Sequence, residues 1–198
     1  PCCTRCGRPM ARAGRLCPNC ARGGLALQGA RAVSPHVPPL REAVHALKYD
    51  GLRVLAEPLS LLLTEVWRSV SWPVDVIVPV PLHERRIRQR GYNQSLLLAA
   101  ALSKHLRLEL EAQVLVRERN TRSQVGLEQW ERWANVQGAF RCRDDSLRDK
   151  NILLVDDVFT TGATLESCAQ ALRVSGSAQI WALTLTRAVG SDSSKDDA

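Results

Sequence analysis

Apolar side chains in this chain fall into short unbroken runs and into stripes with helical spacing. The unbroken runs have the pattern of strands buried on both faces of a parallel sheet, and they occupy residues 75–80, 152–155 and 180–185. A weaker run over residues 114–117 indicates a further strand. The stripes predict helices over residues 40–47, 54–70, 93–105 and 164–175. Because strands alternate with helices, we expect an α/β fold built on a parallel sheet.

Residues 1–24 follow neither pattern. They contain five cysteines, five arginines and no acidic residue, and their glycines and prolines interrupt any long helix or strand. We therefore expect a small N-terminal knuckle over residues 1–27 and an α/β domain over residues 28–190. The polar residues 191–198 are expected to form a disordered tail.

Composition and charge narrow the class of protein. The chain has 198 residues, of which 45% are hydrophobic and 24% charged, values that suit one globular domain with a small appendage. The formal net charge is +7, and nearly all of the basic residues are arginines. Because the guanidinium group binds phosphate well, this surplus indicates a nucleotide or nucleic-acid ligand. A GC-rich genome would produce the same surplus, and composition does not separate the two explanations.

The sequence also bears on location. No apolar stretch reaches the roughly 18 residues of a membrane-spanning helix, so we expect no membrane insertion. The first residues are rich in Cys and Arg and lack the apolar centre of a secretory signal. We expect a cytoplasmic protein whose cysteines are free thiols or metal ligands. Because the chain starts at Pro1 rather than Met, we expect a few native residues to precede it.

The clearest candidate site follows the run at residues 152–155. Asp156 and Asp157 come next, and two adjacent carboxylates are costly unless hydroxyl groups or a cation meet them. A sugar diol and a magnesium-bound pyrophosphate would do so. The turn that follows leads into a helix and could hold a terminal phosphate through its N–H groups and hydroxyls; it consists of Thr160, Thr161, Gly162, Ala163 and Thr164. The alternative is a helix cap without a ligand.

A second candidate site follows the run at residues 75–80. Residues 85–90 contain four arginines, which would form a concentrated anion site in a polar loop at the end of a buried strand. Gly91 and Asn93 indicate a turn before the next helix, with Asn93 as its N-cap. A solvated basic loop, or a nucleic-acid patch unrelated to the first site, is the alternative.

Four of the N-terminal cysteines have the spacing of a zinc ribbon. Two residues separate Cys3 from Cys6, and the same spacing recurs ten residues later in Cys17 and Cys20. Four thiolates on two short turns can form a tetrahedral Zn²⁺ site. Binding of the metal would supply the folding energy that the few apolar residues of this segment cannot supply. Cys2 leaves the first ligand ambiguous, although Cys3 keeps the two-residue spacing. A purely structural clip and a contact to nucleic-acid phosphates are both open for this knuckle.

The stretch Val-Asp-Asp-Val-Phe-Thr-Thr-Gly-Ala-Thr at residues 155–164 resembles the 5-phosphoribosyl-1-diphosphate (PRPP) motif of type I phosphoribosyltransferases. This resemblance implies that Asp156 and Asp157 are the catalytic pair facing the ribose hydroxyls. It also implies that residues 160–164 cradle the 5′-phosphate and that Mg²⁺ accompanies PRPP. Purine-salvage members carry an aspartate where this chain has Thr160, which argues against purine salvage.

Together with the knuckle and the blocks Val-Pro-Val-Pro-Leu (78–82) and Arg-Gly-Tyr-Asn-Gln (90–94), the motif resembles the ComF family of bacterial competence and DNA-utilisation proteins. That resemblance implies a type I phosphoribosyltransferase-like parallel sheet flanked by helices, with an N-terminal four-Cys zinc knuckle. It assigns pyrophosphate binding to the loop after residue 79, through Val80, Pro81, Arg85, Arg88, Arg90 and Gly91. The likeness to type I phosphoribosyltransferases also places a closing lid over residues 117–140, with Arg117, Thr121 and Gln124 as its functional residues. An ordinary amphipathic surface helix is the alternative for this segment.

Three other side chains are expected to be structural. Trp130 and Trp133, within the lid segment, are predicted to dock on the core rather than to stack on bases. Cys168, on the apolar stripe of the last helix, is predicted to be a small core residue.

Two classes of function are open at this point. In the first, the protein is an enzyme that transfers phosphoribose from PRPP to an unknown acceptor. In the second, it is a non-catalytic module that senses PRPP or handles single-stranded DNA for competence proteins. A transferase needs a wall that recognises the acceptor. So little chain follows Thr186 that only the knuckle is expected to supply that wall.

Overall fold

A computed structural model of the chain describes residues 1–12, 14–121 and 129–188. The predicted tail, residues 191–198, lies outside this part. Within it, the strands are β1 (Gly29–Pro35), β2 (Val76–Pro79), β3 (Glu109–Leu110), β4 (Leu115–Arg117), β5 (Phe140–Cys142), β6 (Ile152–Phe159) and β7 (Ile180–Arg187). The helices are α1 (Pro18–Ala21), α2 (Leu40–Tyr49), α3 (Ala56–Arg68), α4 (Glu84–Arg90), α5 (Gln94–Leu106), α6 (Gln129–Val136) and α7 (Ala163–Val174).

Five strands form one sheet in the order β1-β7-β6-β2-β3, and every neighbouring pair is parallel. In the central strand β6, Ile152 and Leu154 pack on one face of the sheet, and Leu153 and Val155 pack on the other. Because both faces are covered, the strand needs no polar alternation, which explains its unbroken apolar run. The predicted parallel sheet flanked by helices is confirmed.

Helices form a layer on each face of the sheet. On one face α2, α3 and α5 contribute buried leucines, among them Leu47, Leu63 and Leu98. On the other face α7 packs beside the antiparallel β4–β5 pair, and Leu165 and Cys168 are fully buried there. The prediction that Cys168 is a small core residue is therefore confirmed. None of the described helices is long and apolar enough to span a membrane.

Local structure departs from the sequence predictions in three respects. The arginine-rich segment after β2 is helix α4 rather than a loop; the His83 ring accepts the backbone N–H of Arg85, and Gly91 ends the helix with φ +81°. The run at residues 114–117 pairs with β5 in a separate antiparallel ladder, outside the parallel sheet. Strand β1 and the short strands β3 and β5 were not predicted. By contrast, Asn93 is the predicted N-cap of α5, and its Oδ1 accepts the Ser95 N–H at 3.0 Å.

The N-terminal residues 1–25, here called the four-Cys module, contain α1 and a bridge between Cys2 and Pro9. The module lies against β1, where the Ala30 N–H donates to the carbonyl oxygen of Arg5 at 2.8 Å. The predicted boundary between residues 27 and 28 lies just before β1, and it stays a prediction.

Candidate functional site

A cavity of about 640 Å³ opens at the carboxyl ends of β2 and β6. In parallel α/β sheets this edge is where ligands bind, because the connecting loops and helix N-termini converge there. Its lining combines residues from both predicted loops with a wall from α2. The polar residues of that lining are His36, Arg41, Glu42, His45, Lys48, Tyr49, Arg86, Arg90, Gln94, Arg117, Arg132, Asp156, Asp157, Thr160 and Thr164.

The acid pair lies near the end of β6, and its two carboxylates have different environments. Asp156 Oδ1 accepts the Ser95 hydroxyl at 2.8 Å and the Asp157 backbone N–H at 2.9 Å. Asp157 Oδ1 lies 2.9 Å from the Lys48 ammonium. Asp157 Oδ2 is buried and has no hydrogen-bond partner among the described residues. One carboxylate oxygen of a residue that lines the cavity is thus an unsatisfied acceptor, which a ligand donor or a cation could satisfy.

Burial and mutual repulsion control the charge of this pair. Burial raises the pKa of Asp156 to about 7, the neighbouring Asp157 charge adds to the effect, and Lys48 and Ser95 oppose it. Burial lowers the pKa of Lys48, but the charge of Asp157 and their hydrogen bond outweigh that effect and raise it overall. The site therefore favours a ligand that brings hydroxyl donors or a cation to the carboxylates.

The predicted phosphate turn begins α7. Thr160, Gly162 and Thr164 line the cavity, whereas Thr161 borders a second cavity described below. Gly162 is the N-cap residue with φ +86°, and Ala163 is the first residue of the 12-residue helix. The backbone N–H groups of the first turn and the positive dipole end of that helix favour an anion at the turn.

Helix α4 separates the arginines that the sequence grouped together. Arg86 and Arg90, one turn apart, line the cavity with Val80. Arg85 and Arg88 are exposed and do not line it. Arg88 forms an exposed pair with Glu84 at 3.3 Å, and Pro81 and Gly91 lie on either side of the helix. Sequence reasoning missed Arg86. A helix prediction for this segment would have placed Arg86 on the same face as Arg90.

The predicted lid is partly described. Arg117 lines the cavity, donates to the hydroxyl of the buried Thr121 and lies over the Phe140 ring at 5.2 Å. Gln124 lies outside the described residues. Trp133 packs against the core as predicted. Trp130 is 71% exposed, so the prediction that it docks on the core is wrong.

The wall formed by α2 was missed by sequence reasoning. Lys48 and Tyr49 come from its last turn, and His45 lies one turn before them. The only signal was the short pattern Lys48-Tyr49-x-Gly51, whose spacing alone does not point to the acid pair. No described residue of the module lines this cavity, and α2 forms its further wall. The expectation that the knuckle recognises an acceptor stays a prediction.

The module brings together the four cysteines with zinc-ribbon spacing. The sulfur atoms of Cys3, Cys6, Cys17 and Cys20 all lie within 4.8 Å of one another, so the cluster could hold a metal ion. Cys2 is exposed and does not belong to the cluster. Burial raises the pKa of Cys3, but backbone N–H groups that stabilise its thiolate outweigh this and lower the pKa to about 6. A thiolate is the form that binds metal.

A second cavity, of about 730 Å³, lies between the module, α6 and the phosphate turn. It shares Phe159 and Gly162 with the first cavity, so these two residues form part of the partition. Its other walls include Cys6, Trp133 and Arg187. The module therefore adjoins the back of the phosphate turn rather than the front.

The chain is similar to proteins of known families. Residues 93–198 match the family described as Phosphoribosyl transferase domain. The chain is 35% identical to the DNA utilization protein YhgH of Escherichia coli (strain K12), in an alignment that covers 93% of this chain and 84% of that protein. It is 30% identical to Competence protein F of Haemophilus influenzae, with 92% and 84% covered. A solved purine phosphoribosyltransferase from Pyrococcus horikoshii Ot3 is 19% identical, with a TM-score of 0.41 and coverage of 67% of this chain and 84% of that one.

Proposed function

Because the chain belongs to the ComF family and has a phosphoribosyltransferase-type domain, we propose that it binds PRPP with Mg²⁺ and acts in DNA uptake or utilisation. Asp156 and Asp157 accept hydrogen bonds from the ribose hydroxyls. The turn at residues 160–164 holds the 5′-phosphate, and Arg86 and Arg90 contact the diphosphate. Arg85 and Arg88, predicted for that role, do not line the cavity, so the proposal assigns the diphosphate to Arg86 and Arg90.

One observation carries this proposal: Asp156 and Asp157 line the cavity next to the turn that begins α7, and Asp157 Oδ2 is a buried acceptor with no hydrogen-bond partner among the described residues. A buried acceptor without a partner is costly, and a sugar hydroxyl is a donor of the right kind. The same carboxylates offer the oxygen ligands that Mg²⁺ prefers, and PRPP brings phosphate oxygens to complete them. When bound, the metal would neutralise charge on the diphosphate.

Replacing Asp157 by Asn is the direct test. The amide removes the charge and one acceptor, and a hydrogen bond to a charged group contributes about 1.5–3 kcal/mol. We expect PRPP in the presence of Mg²⁺ to bind at least about tenfold more weakly to this variant in calorimetry.

Asp75→Asn is the matched control. Asp75 is exposed, precedes β2, and its carboxylate accepts the Asn151 N–H at 2.8 Å at the opposite end of the sheet. That variant should bind PRPP as the wild type does. Equal affinities of all three proteins would contradict the assignment of the acid pair.

Pyrophosphate release separates catalysis from sensing. If the protein transfers phosphoribose, release from PRPP will depend on an added acceptor and will be lost in the Asp157→Asn variant. PRPP binding without release for any acceptor class would favour the sensing function. The side chains of α2 that line the cavity, His45 and Tyr49 among them, are the surface that an acceptor would meet.

We also propose that the four-Cys cluster holds Zn²⁺ and that the protein is cytoplasmic. Four thiolates are the usual ligand set of a structural zinc site, and zinc prefers this tetrahedral sulfur environment. A reducing compartment keeps such thiols available for metal rather than for disulfides. On this proposal the four-Cys module and the domain that starts at residue 28 are distinct units.

Handling of single-stranded DNA is the second candidate function. Trp130 is 71% exposed at the edge of the second cavity, and the exposed Arg22 lines the same cavity. Exposed aromatic rings beside arginines are typical of surfaces that bind single strands. We expect oligonucleotide affinity to fall steeply with added salt, because phosphate contacts release counterions. Affinity that is independent of salt, measured by fluorescence anisotropy, would exclude an arginine–phosphate interface.

A further inference from the structure

One arginine, Arg187, links the four-Cys module to Phe159, whose ring lies behind the phosphate turn. Arg187, the last residue of β7, donates to the carbonyl oxygen of Cys6 at 2.7 Å. Its second terminal nitrogen lies 3.6 Å from the Cys6 sulfur. The guanidinium also covers the Phe159 ring, 4.1 Å from the ring centroid. Arg187 therefore joins a cluster cysteine to the last residue of β6.

Phe159 in turn contacts the phosphate turn. Its ring packs so closely behind Gly162 that a Cβ at that position would lie 2.8 Å from the ring's Cζ. Phe159 is also fixed from β7's side, because its carbonyl oxygen accepts the Ala188 N–H at 2.8 Å. A ring held in this way sets how far the turn can move away from the cavity.

A second connection reaches the same helix start. Glu166, in the first turn of α7, is 2% exposed, and its carboxylate accepts the N–H groups of Ala26 at 2.6 Å and Leu27 at 3.2 Å. Those two residues directly follow the module. A buried carboxylate with two charge-assisted hydrogen bonds is a firm anchor. The connection from the module and the connection from the two residues after it thus both end on residues 159–166.

We propose that the four-Cys module positions the 5′-phosphate turn, with Arg187 as the positioning residue, so that metal occupancy of the module and phosphate affinity are coupled. This inference rests on the proposed function only for the identity of the ligand. Metal that orders Cys6 fixes the acceptor to which Arg187 donates, and Arg187 then holds Phe159 against the turn. Because coupling is reciprocal, ribose 5-phosphate bound at the turn raises the affinity of the cluster for metal by the same factor.

The chain offers a matched control in Arg31. This residue also holds the module, donating to the carbonyl oxygens of Thr4 at 2.9 Å and Arg5 at 3.1 Å, but it lies on β1 and does not contact the turn. Arg187→Met and Arg31→Met therefore each remove an arginine that binds the module backbone. Only the first breaks the path to Phe159. Glu166→Gln, which weakens the second connection, is a further variant in case Arg187→Met does not fold.

Two measurements on the full-length, zinc-loaded proteins test the proposal. Titration with ribose 5-phosphate should show weaker binding for Arg187→Met by about 5- to 150-fold, the usual range of coupling, and no change for Arg31→Met. Hydrogen exchange without ligand should be faster at residues 160–166 in Arg187→Met and in chelator-treated wild type, but not in Arg31→Met. Glu166→Gln should behave as Arg187→Met does.

The outcomes are distinguishable from failure of the proposed function. If wild type does not bind ribose 5-phosphate, the proposed ligand is wrong, and hydrogen exchange still decides whether the module positions the turn. If ribose 5-phosphate binds but Arg187→Met and Glu166→Gln match Arg31→Met in affinity and exchange, the coupling is wrong. Zinc content, measured for each variant, shows whether any loss acts through the metal or through the contact alone.

Discussion

Replacing Cys17 by Ser is expected to unfold the four-Cys module while the parallel sheet stays folded. Cys17 is 2% exposed, its sulfur lies 3.7 Å from that of Cys6, and its backbone N–H donates to the Cys3 sulfur at 3.3 Å. Besides the cysteines, the apolar cluster of the module contains only Met10 and Leu25 among the described residues. So small a cluster cannot offset the conformational entropy of ordering the module.

Metal binding must therefore supply most of the module's folding free energy. Structural zinc sites in small peptides contribute about 10–16 kcal/mol at neutral pH, far more than two apolar side chains can. Losing one of four thiolate ligands, or adding a strong chelator, should release the metal and the structure together. Of the four cysteines only Cys6 packs against the core of the five-stranded sheet, so most of that core does not depend on the cluster.

Zinc content and hydrogen exchange measure this prediction. In Cys17→Ser, residues 1–25 should lose zinc and exchange freely, whereas the amides of β6 and β7 stay protected. Cys2→Ser is the matched control, because Cys2 is exposed and outside the cluster. A Cys17→Ser protein that keeps one zinc per chain and native exchange would show that another group completes the site.

The parts of the molecule that sequence could predict are those whose signal is local. The unbroken run of β6 reports burial on both faces, and Asn93 reports a helix start through its own side chain. Strand β1 gave no such signal, because it contains Arg31 and ends at Pro35 and is held in place by β7, which lies far along the chain. Its assignment depends on a partner that no local pattern names.

The candidate site likewise contains some residues that a local sequence signal predicts and others that it does not. Asp156 and Asp157 were identified because both carboxylates, the strand and the following turn are adjacent in sequence. The cation beside them, Lys48, lies on α2, far earlier in the sequence. Only the packing of α2 over the sheet brings Lys48 to the acid pair. Arg86 was missed because residues 85–90 were predicted to be a loop. Only in a helix do Arg86 and Arg90 share one face.

Replacing Lys48 by Met should strongly destabilise the protein. The Lys48 ammonium lies 2.9 Å from Asp157 Oδ1, with side-chain exposures of 20% and 5%. Breaking a buried pair leaves an uncompensated charge and costs about 3–5 kcal/mol. For a chain of this size, each kcal/mol lowers the melting temperature by about 2–4 °C, so a fall of roughly 6–20 °C is expected.

Lys104→Met is the control for the loss of a lysine. Lys104 is exposed near the end of α5. Its replacement by Met changes the charge and the side-chain shape as Lys48→Met does, but it leaves the acid pair intact. Its melting temperature should match that of the wild type. A Lys48→Met protein as stable as Lys104→Met would mean that the pair contributes no net stability.

The pH dependence of unfolding separates loss of the charge pair from a packing defect. The pKa of Asp156 rises from 3.8 to about 7 on folding, so the folded state holds a proton that the unfolded state releases within that interval. The free energy of unfolding therefore falls as pH rises through this interval, by up to about 1.4 kcal/mol per pH unit, and levels off above about 7.

In Lys48→Met the positive charge that opposes this shift is gone, so the pKa of Asp156 should rise further. The two proteins should then show parallel pH dependence below about 7. Above it the wild type stops losing stability and the variant continues to lose it, so the difference between them widens with pH. Denaturant unfolding measured on both sides of neutrality tests this, and a difference that stays constant with pH would assign the loss to packing of the lysine stem rather than to its charge.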